Sequence, residues 1–116
     1  MSKRSDLVYL GTLLDDARRA AEKARNATRE QFDNDDNLRM ALTWLLQNVS
    51  EAASKVPLSV REAQPQIDWS SIVTMRDRLV DDYFRIDAQK VWEAATEHMP
   101  RLIDELLKFT PGDPPE

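Results

Sequence analysis

An arginine within an apolar stripe is the first feature of this sequence that suggests chemistry. At about 100° per residue, Arg76 shares a helical arc with Ile72, Leu79 and Tyr83, and this arc is predicted to be buried. A guanidinium keeps its charge in proteins, so burying one requires a partner. Two explanations stay open: a structural ion pair, for example with Glu51 or a carboxylate of a partner chain, or an anion site at a seam of a bundle or dimer.

The other candidates for catalysis or metal binding are weaker. His98 is the only histidine, and we expect its side chain to be solvated near a helix end. The residue three before it is Ala95, so the Glu-x-x-His pairs of di-metal bundles are excluded. Asp33, Asp35 and Asp36 lack the glycine and distal glutamate of a calcium loop and are expected to cap a helix. We therefore expect no metal and no cofactor.

The composition predicts one small domain in water. The 116 residues suffice for a single core, which we assign to residues 1–109, with a flexible tail at 110–116. The absence of cysteine removes disulfides and thiolate metal sites. Neither a signal peptide nor an apolar run long enough to span a bilayer is recognisable. The expected location is the cytoplasm, away from membranes.

Charge argues against a generic nucleic-acid binder. The net charge is −5, although the first thirty residues carry more Lys and Arg than Asp and Glu. Proteins that bind DNA or RNA without specificity present a basic stripe, because neutralising phosphates supplies most of that affinity. Any RNA contact is therefore expected to be local or shared with a second subunit, and no DNA binding is expected.

Only helices have the periodicity to position these residues. Two glycines and the lack of alternating Val, Ile or Thr leave no strand signal, so the predicted fold is all-α, an antiparallel bundle of four to five helices. The first predicted helix covers residues 5–29, with an apolar stripe from Leu7 to Ala24, and a polar break at 31–34 precedes a second helix to about Lys55. Residues 57–65 are predicted to be a loop with one short helical turn. A third helix is predicted from Asp68 or Ser70 through Tyr83, and a fourth from Asp87 to Phe109, which Pro100 should kink or restart.

Three tryptophans have two possible roles. Trp44 lies two turns from Glu51 on the flank of the second predicted long helix, and this flank could be an interface. Trp44, Trp69 and Trp92 could stack on bases, but helical spacing favours core or interface anchors.

The segment from Trp69 to Phe84, followed by Asp87 and Val91-Trp92, resembles the HepT-like branch of the HEPN ribonuclease toxins. The family pattern is Arg, four residues, His, one residue, Tyr, and the chain has Arg76, Asp81 and Tyr83 at those positions. The pattern also includes the upstream residues Phe32, Ala41 and Ser50-Glu51-Ala52, with Ser50 where Gly is more usual, and the downstream step approximated by Pro100 and Leu102. The resemblance spans about residues 30–106.

The resemblance implies a toxin that cleaves RNA. It implies a homodimer whose motif helices meet in a metal-independent cleft, with Arg76 and the residue at 81 as the catalytic pair. Tyr83 would accept AMP from a partner, a minimal nucleotidyltransferase antitoxin, and so silence the cleft. Asp77, Asp82 and Glu51 would support the motif, and RNA would be the substrate.

Asp81 stands where the family has histidine, and this difference weakens the catalytic interpretation. An aspartate is an anion near neutral pH, so it is a poor acid and a weak base, and it repels phosphate. Repulsion from Asp82, together with burial, could raise the pKa of Asp81 and leave residual activity. Three explanations are open: a chain mutated to remove toxicity, a naturally degenerate member, or a variant that recruits another base.

Helical geometry adds a second difficulty. On a straight helix Asp81 points about 140° away from Arg76. The helix must therefore end or bend near residue 80, or a second subunit must supply one of the two residues. The alternative function is a non-catalytic HEPN module that binds a nucleotidyltransferase or a nucleotide, with Arg76 as an anion anchor.

Overall fold

Helices carry the fold, as the spacing of apolar residues predicts. The computed structural model describes residues 3–108, with side chains from residue 8 onward. Within this part of the chain every regular element is helical, and the only β-type pairing is the isolated bridge between Val80 and Ile86. The elements are α1 (Lys3–Arg25), α2 (Arg29–Asn34), α3 (Asp36–Ser54), α4 (Leu58–Glu62), α5 (Trp69–Thr74), α6 (Arg76–Leu79), α7 (Ala88–Glu93), a π-helical turn (Ala94–His98) and α8 (Met99–Lys108).

The core lies where α1, α3 and α8 pack together. α1 lies against α3 over most of its length and also contacts α8, while α3 contacts α5. Leu13, Leu42, Leu46 and Val49 are fully buried at the centre of this cluster, and Met99 closes it from the start of α8. The site helices α5 and α6 are thus held against α3, the central element of the fold.

The predicted break at 31–34 is wrong. α1 ends at Arg25, and a second helix begins at residue 29 where the polar break was expected. Its start is fixed by a capping box: the Thr28 hydroxyl accepts the N–H of Gln31, and the Gln31 side chain accepts the N–H of Thr28. The helix is retained because Phe32 is fully buried.

The third long helix, predicted through Tyr83, is also wrong in its extent. Asp68 caps it as expected, accepting the N–H of Ser71, but helical structure ends at Leu79. Around Met75 the turns tighten, because the Met75 N–H bonds to the Ile72 carbonyl and the Arg78 N–H bonds to the Met75 carbonyl, each three residues back. The segment is therefore two short helices.

The fourth predicted helix begins at its predicted cap and is irregular just before Pro100. The Asp87 carboxylate accepts the N–H of Lys90 at the start of α7. Pro100 has no N–H to give to the carbonyl four residues earlier, and a π-helical turn lies immediately before α8. Helical structure thus continues from Ala88 to Lys108, with an irregular turn just before Pro100, where a kink or restart is predicted.

Some predicted features lie outside the described residues. These are the tail 110–116, the residue Phe109, and the side chain of Leu7. Among helices within residues 3–108, none combines the length and apolar character needed to cross a membrane.

Candidate functional site

A buried serine sets the register between α3 and the motif helices. The Ser50 hydroxyl, fully inaccessible to water, donates a 2.8 Å hydrogen bond to the backbone carbonyl of Ile72. Glu51 follows Ser50 on α3, and Arg76 lies one helical turn beyond Ile72. The Ser50 bond therefore fixes the part of α3 that faces the first motif residue.

Arg76 pairs with Glu51, but neither is buried. Nη1 of Arg76 donates to Oε1 of Glu51 at 3.0 Å, and both side chains are about half exposed, at 49% and 50%. The other oxygen of Glu51 lies 3.5 Å from Nζ of Lys55. The predicted partner is confirmed, whereas the predicted burial of Arg76 is wrong.

The tightened turns explain why the buried arc differs from the prediction. With about three residues per turn, Met75 comes into line with Trp69 and Ile72, and it is buried in place of Arg76. Leu79 is buried as expected. Arg76 is rotated to the surface, where a half-exposed ion pair needs no dry pocket.

Residues 80–86 form a tight hairpin, named here the motif loop. The backbone of Val80 is extended, with φ −133° and ψ 131°, and pairs with Ile86. The Asp81 N–H donates to the Arg85 carbonyl at 2.9 Å, and the Phe84 N–H donates to the Asp81 carbonyl at 2.9 Å. The helix thus ends where the motif required an end or a bend, so straight-helix spacing no longer relates Arg76 to Asp81.

The carboxylate of Asp81 holds the motif loop closed. Its Oδ1 accepts the N–H groups of Tyr83 at 2.8 Å and Arg85 at 2.9 Å, while its Oδ2 accepts Nε of Arg85 at 2.9 Å. These bonds to the charged form lower the pKa of Asp81, the backbone N–H of Arg85 contributing most. These bonds outweigh the effect of burial, which alone would raise the pKa, so the rise that burial and repulsion from Asp82 could produce does not occur.

The lowered pKa of Asp81 predicts how the motif loop responds to acid. The hydrogen bonds to the carboxylate should persist above the unfolded pKa of about 3.9 and be lost as the pH falls through the lower folded pKa. We expect the amide proton shifts of Tyr83 and Arg85, followed by NMR, to titrate with a midpoint below about 3.9. In Asp81→Asn this transition should vanish. A midpoint above the unfolded value would contradict the loop geometry.

Tyr83 and Phe84 project from the tip of the motif loop. Their side chains are 77% and 89% exposed, so the predicted burial of Tyr83 is wrong. Phe84 has φ 63°, a left-handed conformation that costs a non-glycine residue about 1–3 kcal/mol. The guanidinium carbon of Arg85 lies 5.2 Å from the centre of the Tyr83 ring and packs over its face. The loop thus presents the tyrosine side chain to solvent.

The remaining predicted site residues stand apart from this arrangement. Asp77 is exposed on α6, and Asp82 is exposed in the motif loop. His98 is exposed at the end of the π-helical turn, as expected, and lines a cleft of about 280 Å³ between α5–α6 and α8. The lining of that cleft includes neither Arg76 nor any residue of the motif loop.

Two functional contacts were not foreseen from the sequence. Arg85 donates two hydrogen bonds to the Asp81 carboxylate, one from its backbone N–H and one from its Nε. The spacing of four residues between Asp81 and Arg85 indicates an interaction only when both residues lie on a helix, and here they do not. In the sequence Ser50 stands out only as a departure from the family pattern, although its hydroxyl fixes α3 against α5. Both contacts depend on chain reversal or helix packing.

Comparison with known proteins decides the family. The family described as "Ribonuclease HepT-like" matches residues 13–109, which include all of α2 to α8 and the motif loop. The chain belongs to the HepT-like ribonuclease family. The resemblance noted from the sequence is thereby confirmed, and the match begins earlier in the chain than the motif comparison indicated.

The relatives of this HepT-like chain match it over nearly its whole length. A protein of Methanocaldococcus jannaschii named "Putative RNase" is 31% identical over 109 residues, covering 94% of this chain and 90% of the relative. A protein of Thermococcus cleftensis named "Probable ribonuclease HepT" is 29% identical over 107 residues, covering 92% of this chain and 97% of the relative. No solved structure matches the chain significantly.

Proposed function

We propose that this chain is the ribonuclease subunit of a toxin and antitoxin pair, and that it cuts RNA without a metal ion at the seam between two copies. The observation that carries the proposal is the Arg76 guanidinium, held by Glu51 at the surface of α6, one short helix before the motif loop. Family membership and the ribonuclease names of the relatives support RNA as the substrate.

Arg76 has the chemistry of a phosphate ligand. A guanidinium carries five N–H donors in a planar fork, and the bond to Glu51 employs one of them. Because the side chain is half exposed, the other donors can reach a scissile phosphate. Glu51 orients the guanidinium in the absence of RNA.

The RNA itself supplies the nucleophile for the proposed cleavage. In the proposed reaction the ribose 2′-oxygen attacks the neighbouring phosphorus as it loses its proton, and the 5′-oxygen leaves as it gains one. The products are a 2′,3′-cyclic phosphate and a 5′-hydroxyl. Arg76 stabilises the negative charge on the phosphate oxygens during this exchange.

Asp81 is a poor proton carrier for this reaction. Its lowered pKa keeps it ionised near neutral pH, and its oxygens are occupied by Tyr83 and Arg85. We therefore propose that the chain with Asp81 is weak or inactive as a nuclease. The same observation favours a second candidate function, a non-catalytic HEPN module that binds a nucleotidyltransferase.

Tyr83 is proposed as the regulatory position. Its exposed side chain at the loop tip is accessible to a modifying enzyme, here a minimal nucleotidyltransferase antitoxin. In the proposed transfer the Tyr83 hydroxyl oxygen loses its proton and attacks the α-phosphorus of ATP, AMP becomes attached to the oxygen, and pyrophosphate leaves. The added phosphodiester would place negative charge and bulk beside the motif loop and repel the RNA backbone. The toxin would be silenced without unfolding.

RNA cleavage in the presence of a chelator tests the proposal. We expect slow cleavage, with 2′,3′-cyclic phosphate ends, by the unsubstituted chain. Arg76→Ala should lose at least about tenfold in rate, because one charge-assisted phosphate contact is removed. Arg101→Ala, which removes an exposed arginine on α8, is the matched control and should retain the rate. If neither the wild-type chain nor Asp81→His cuts any RNA, the binding module replaces the nuclease.

A further inference from the structure

A groove between α1 and α3 combines cations with an exposed aromatic side chain. Its volume is about 490 Å³, and it is lined on the α3 side by Trp44 with its neighbours Ala41 and Leu45. The α1 wall carries three cations and two carboxylates, namely Arg18, Arg19, Lys23, Asp15 and Glu22. Of these lining residues only Ala41 belongs to the family pattern, and none lies in the segment from Trp69 to Phe84.

Trp44 differs from the other two tryptophans in its environment. Trp69 is buried, and Trp92 packs its ring 5.0 Å from that of the buried Phe32. Trp44 is 61% exposed, and Met40, one turn earlier on α3, is 60% exposed. An indole left in water by the fold offers a flat apolar surface on which a nucleobase can stack.

The cations of the groove are available to a ligand. The ion pairs among residues 8–108 join other residues, and none brings a carboxylate within 4.0 Å of Arg18, Arg19 or Lys23. Burial raises the pKa of Asp16 above its ordinary value, and the nearby Arg19 guanidinium offsets part of that rise. The α1 wall is thus locally positive in a chain whose net charge is −5.

The groove and the proposed cleavage site share the helix α3. Trp44 and Glu51 are seven residues apart on α3, about two turns and roughly 10 Å along the same face. Glu51 holds Arg76. A strand whose base stacks on Trp44 can therefore extend along α3 towards the Arg76 guanidinium.

We infer that this groove binds single-stranded RNA, with an unpaired base on Trp44 and backbone phosphates at Arg18 and Lys23. The inference rests on the proposed function for the identity of the ligand as RNA. It adds a binding subsite on α1 and α3 that the motif does not contain. The site selects unpaired strands, because a base inside a duplex cannot present its face to the indole.

Charge favours RNA over a second copy of the chain as the occupant. A two-fold contact centred on the groove would bring the three cations of one copy against the same three of the other, with only two carboxylates per copy to offset them. A phosphate backbone meets these cations with opposite charge. Protein association through Trp44 remains the competing outcome of the test.

The experiment measures binding separately from cleavage. A fluorescent single-stranded oligonucleotide with 2′-O-methyl groups cannot be cleaved through its 2′-oxygen, and its anisotropy reports binding to the full chain. We expect Trp44→Ala to weaken binding by about 5- to 100-fold and Trp44→Phe to stay within about threefold of wild type, because phenylalanine keeps a stacking face.

The salt dependence of RNA binding tests the contacts between the groove cations and phosphates. Arg18→Ala combined with Lys23→Ala should reduce the slope of log affinity against log salt by about 1.4, since each phosphate contact on a single strand contributes about 0.7. Lys90→Ala combined with Lys108→Ala removes two exposed lysines elsewhere and should leave the slope unchanged. Arg19 is left unsubstituted in this variant because its guanidinium also affects the pKa of Asp16.

The possible outcomes separate this inference from the proposed function. Binding that depends on Trp44, in a chain that never cleaves RNA, supports the groove and overturns the nuclease. Cleavage with wild-type affinity in Trp44→Ala overturns the groove and leaves the nuclease intact. A change of oligomeric state in Trp44→Ala, measured by sedimentation, with unchanged RNA affinity assigns the surface to protein association and also overturns the inference.

Discussion

Asp81→His is expected to raise the rate of RNA cleavage by about 10²- to 10⁴-fold at neutral pH, the usual contribution of a positioned general acid or base. An imidazole with a pKa near 6.5 can exchange protons at that pH, whereas the Asp81 carboxylate, with its lowered pKa, cannot. The measurement is single-turnover cleavage of an end-labelled RNA with chelator present.

Asp81→Asn is the matched control for this gain. The amide oxygen can still accept the N–H groups of Tyr83 and Arg85, so the motif loop should stay closed, but no proton carrier is created. We expect Asp81→Asn to remain at the wild-type rate and Asp81→His with Arg76→Ala to lose most of the gain. Equal activity of the Asn and His variants would falsify the assignment of position 81 to proton transfer.

Phe32→Ala is expected to lower the free energy of unfolding by about 3–5 kcal/mol, as large truncations of buried aromatics do. Phe32 is the buried residue of α2, fully inaccessible, and its ring packs at 43° against Trp92. Because α2 has six residues, it depends on this anchor more than on its own helical stability. Thermal unfolding should shift down by roughly 10–20 °C.

The same substitution at an exposed position provides the comparison. Phe84 is 89% exposed, so Phe84→Ala removes an equal side chain without opening a cavity and should change stability by less than about 0.5 kcal/mol. Similar losses in the two variants would show that burial of the Phe32 ring does not hold α2 in place.

Local signals in the sequence predicted the class of fold and several helix ends. The apolar spacing indicated helices because a 3.6-residue repeat needs no knowledge of the partner surface. Asp68 and Asp87 were recognisable as caps, since a carboxylate that accepts an N–H three residues later acts within one turn. The capping box at Thr28 and Gln31 is equally local, but apolar spacing does not reveal it, and α2 lies where that spacing predicts a break.

The motif that identifies the family could also be recognised from the sequence alone. Arg76, Asp81 and Tyr83 identified the family without any coordinates, and the family match confirms that identification. Helical periodicity, however, gave the wrong exposure for Arg76 and Tyr83. Periodicity assumes a uniform helix, and this segment tightens at Met75 and ends at Leu79.

Only the tertiary structure decided what Asp81 does. The chain reverses after Leu79 because the Leu79 carbonyl accepts the N–H of Asp87 at 2.7 Å and Val80 pairs with Ile86. That reversal brings Arg85 back onto the Asp81 carboxylate and lowers its pKa, where the sequence alone suggested repulsion from Asp82. Residue type determined which groups were present, whereas hydrogen bonds between segments that meet only after folding determined their charge and exposure.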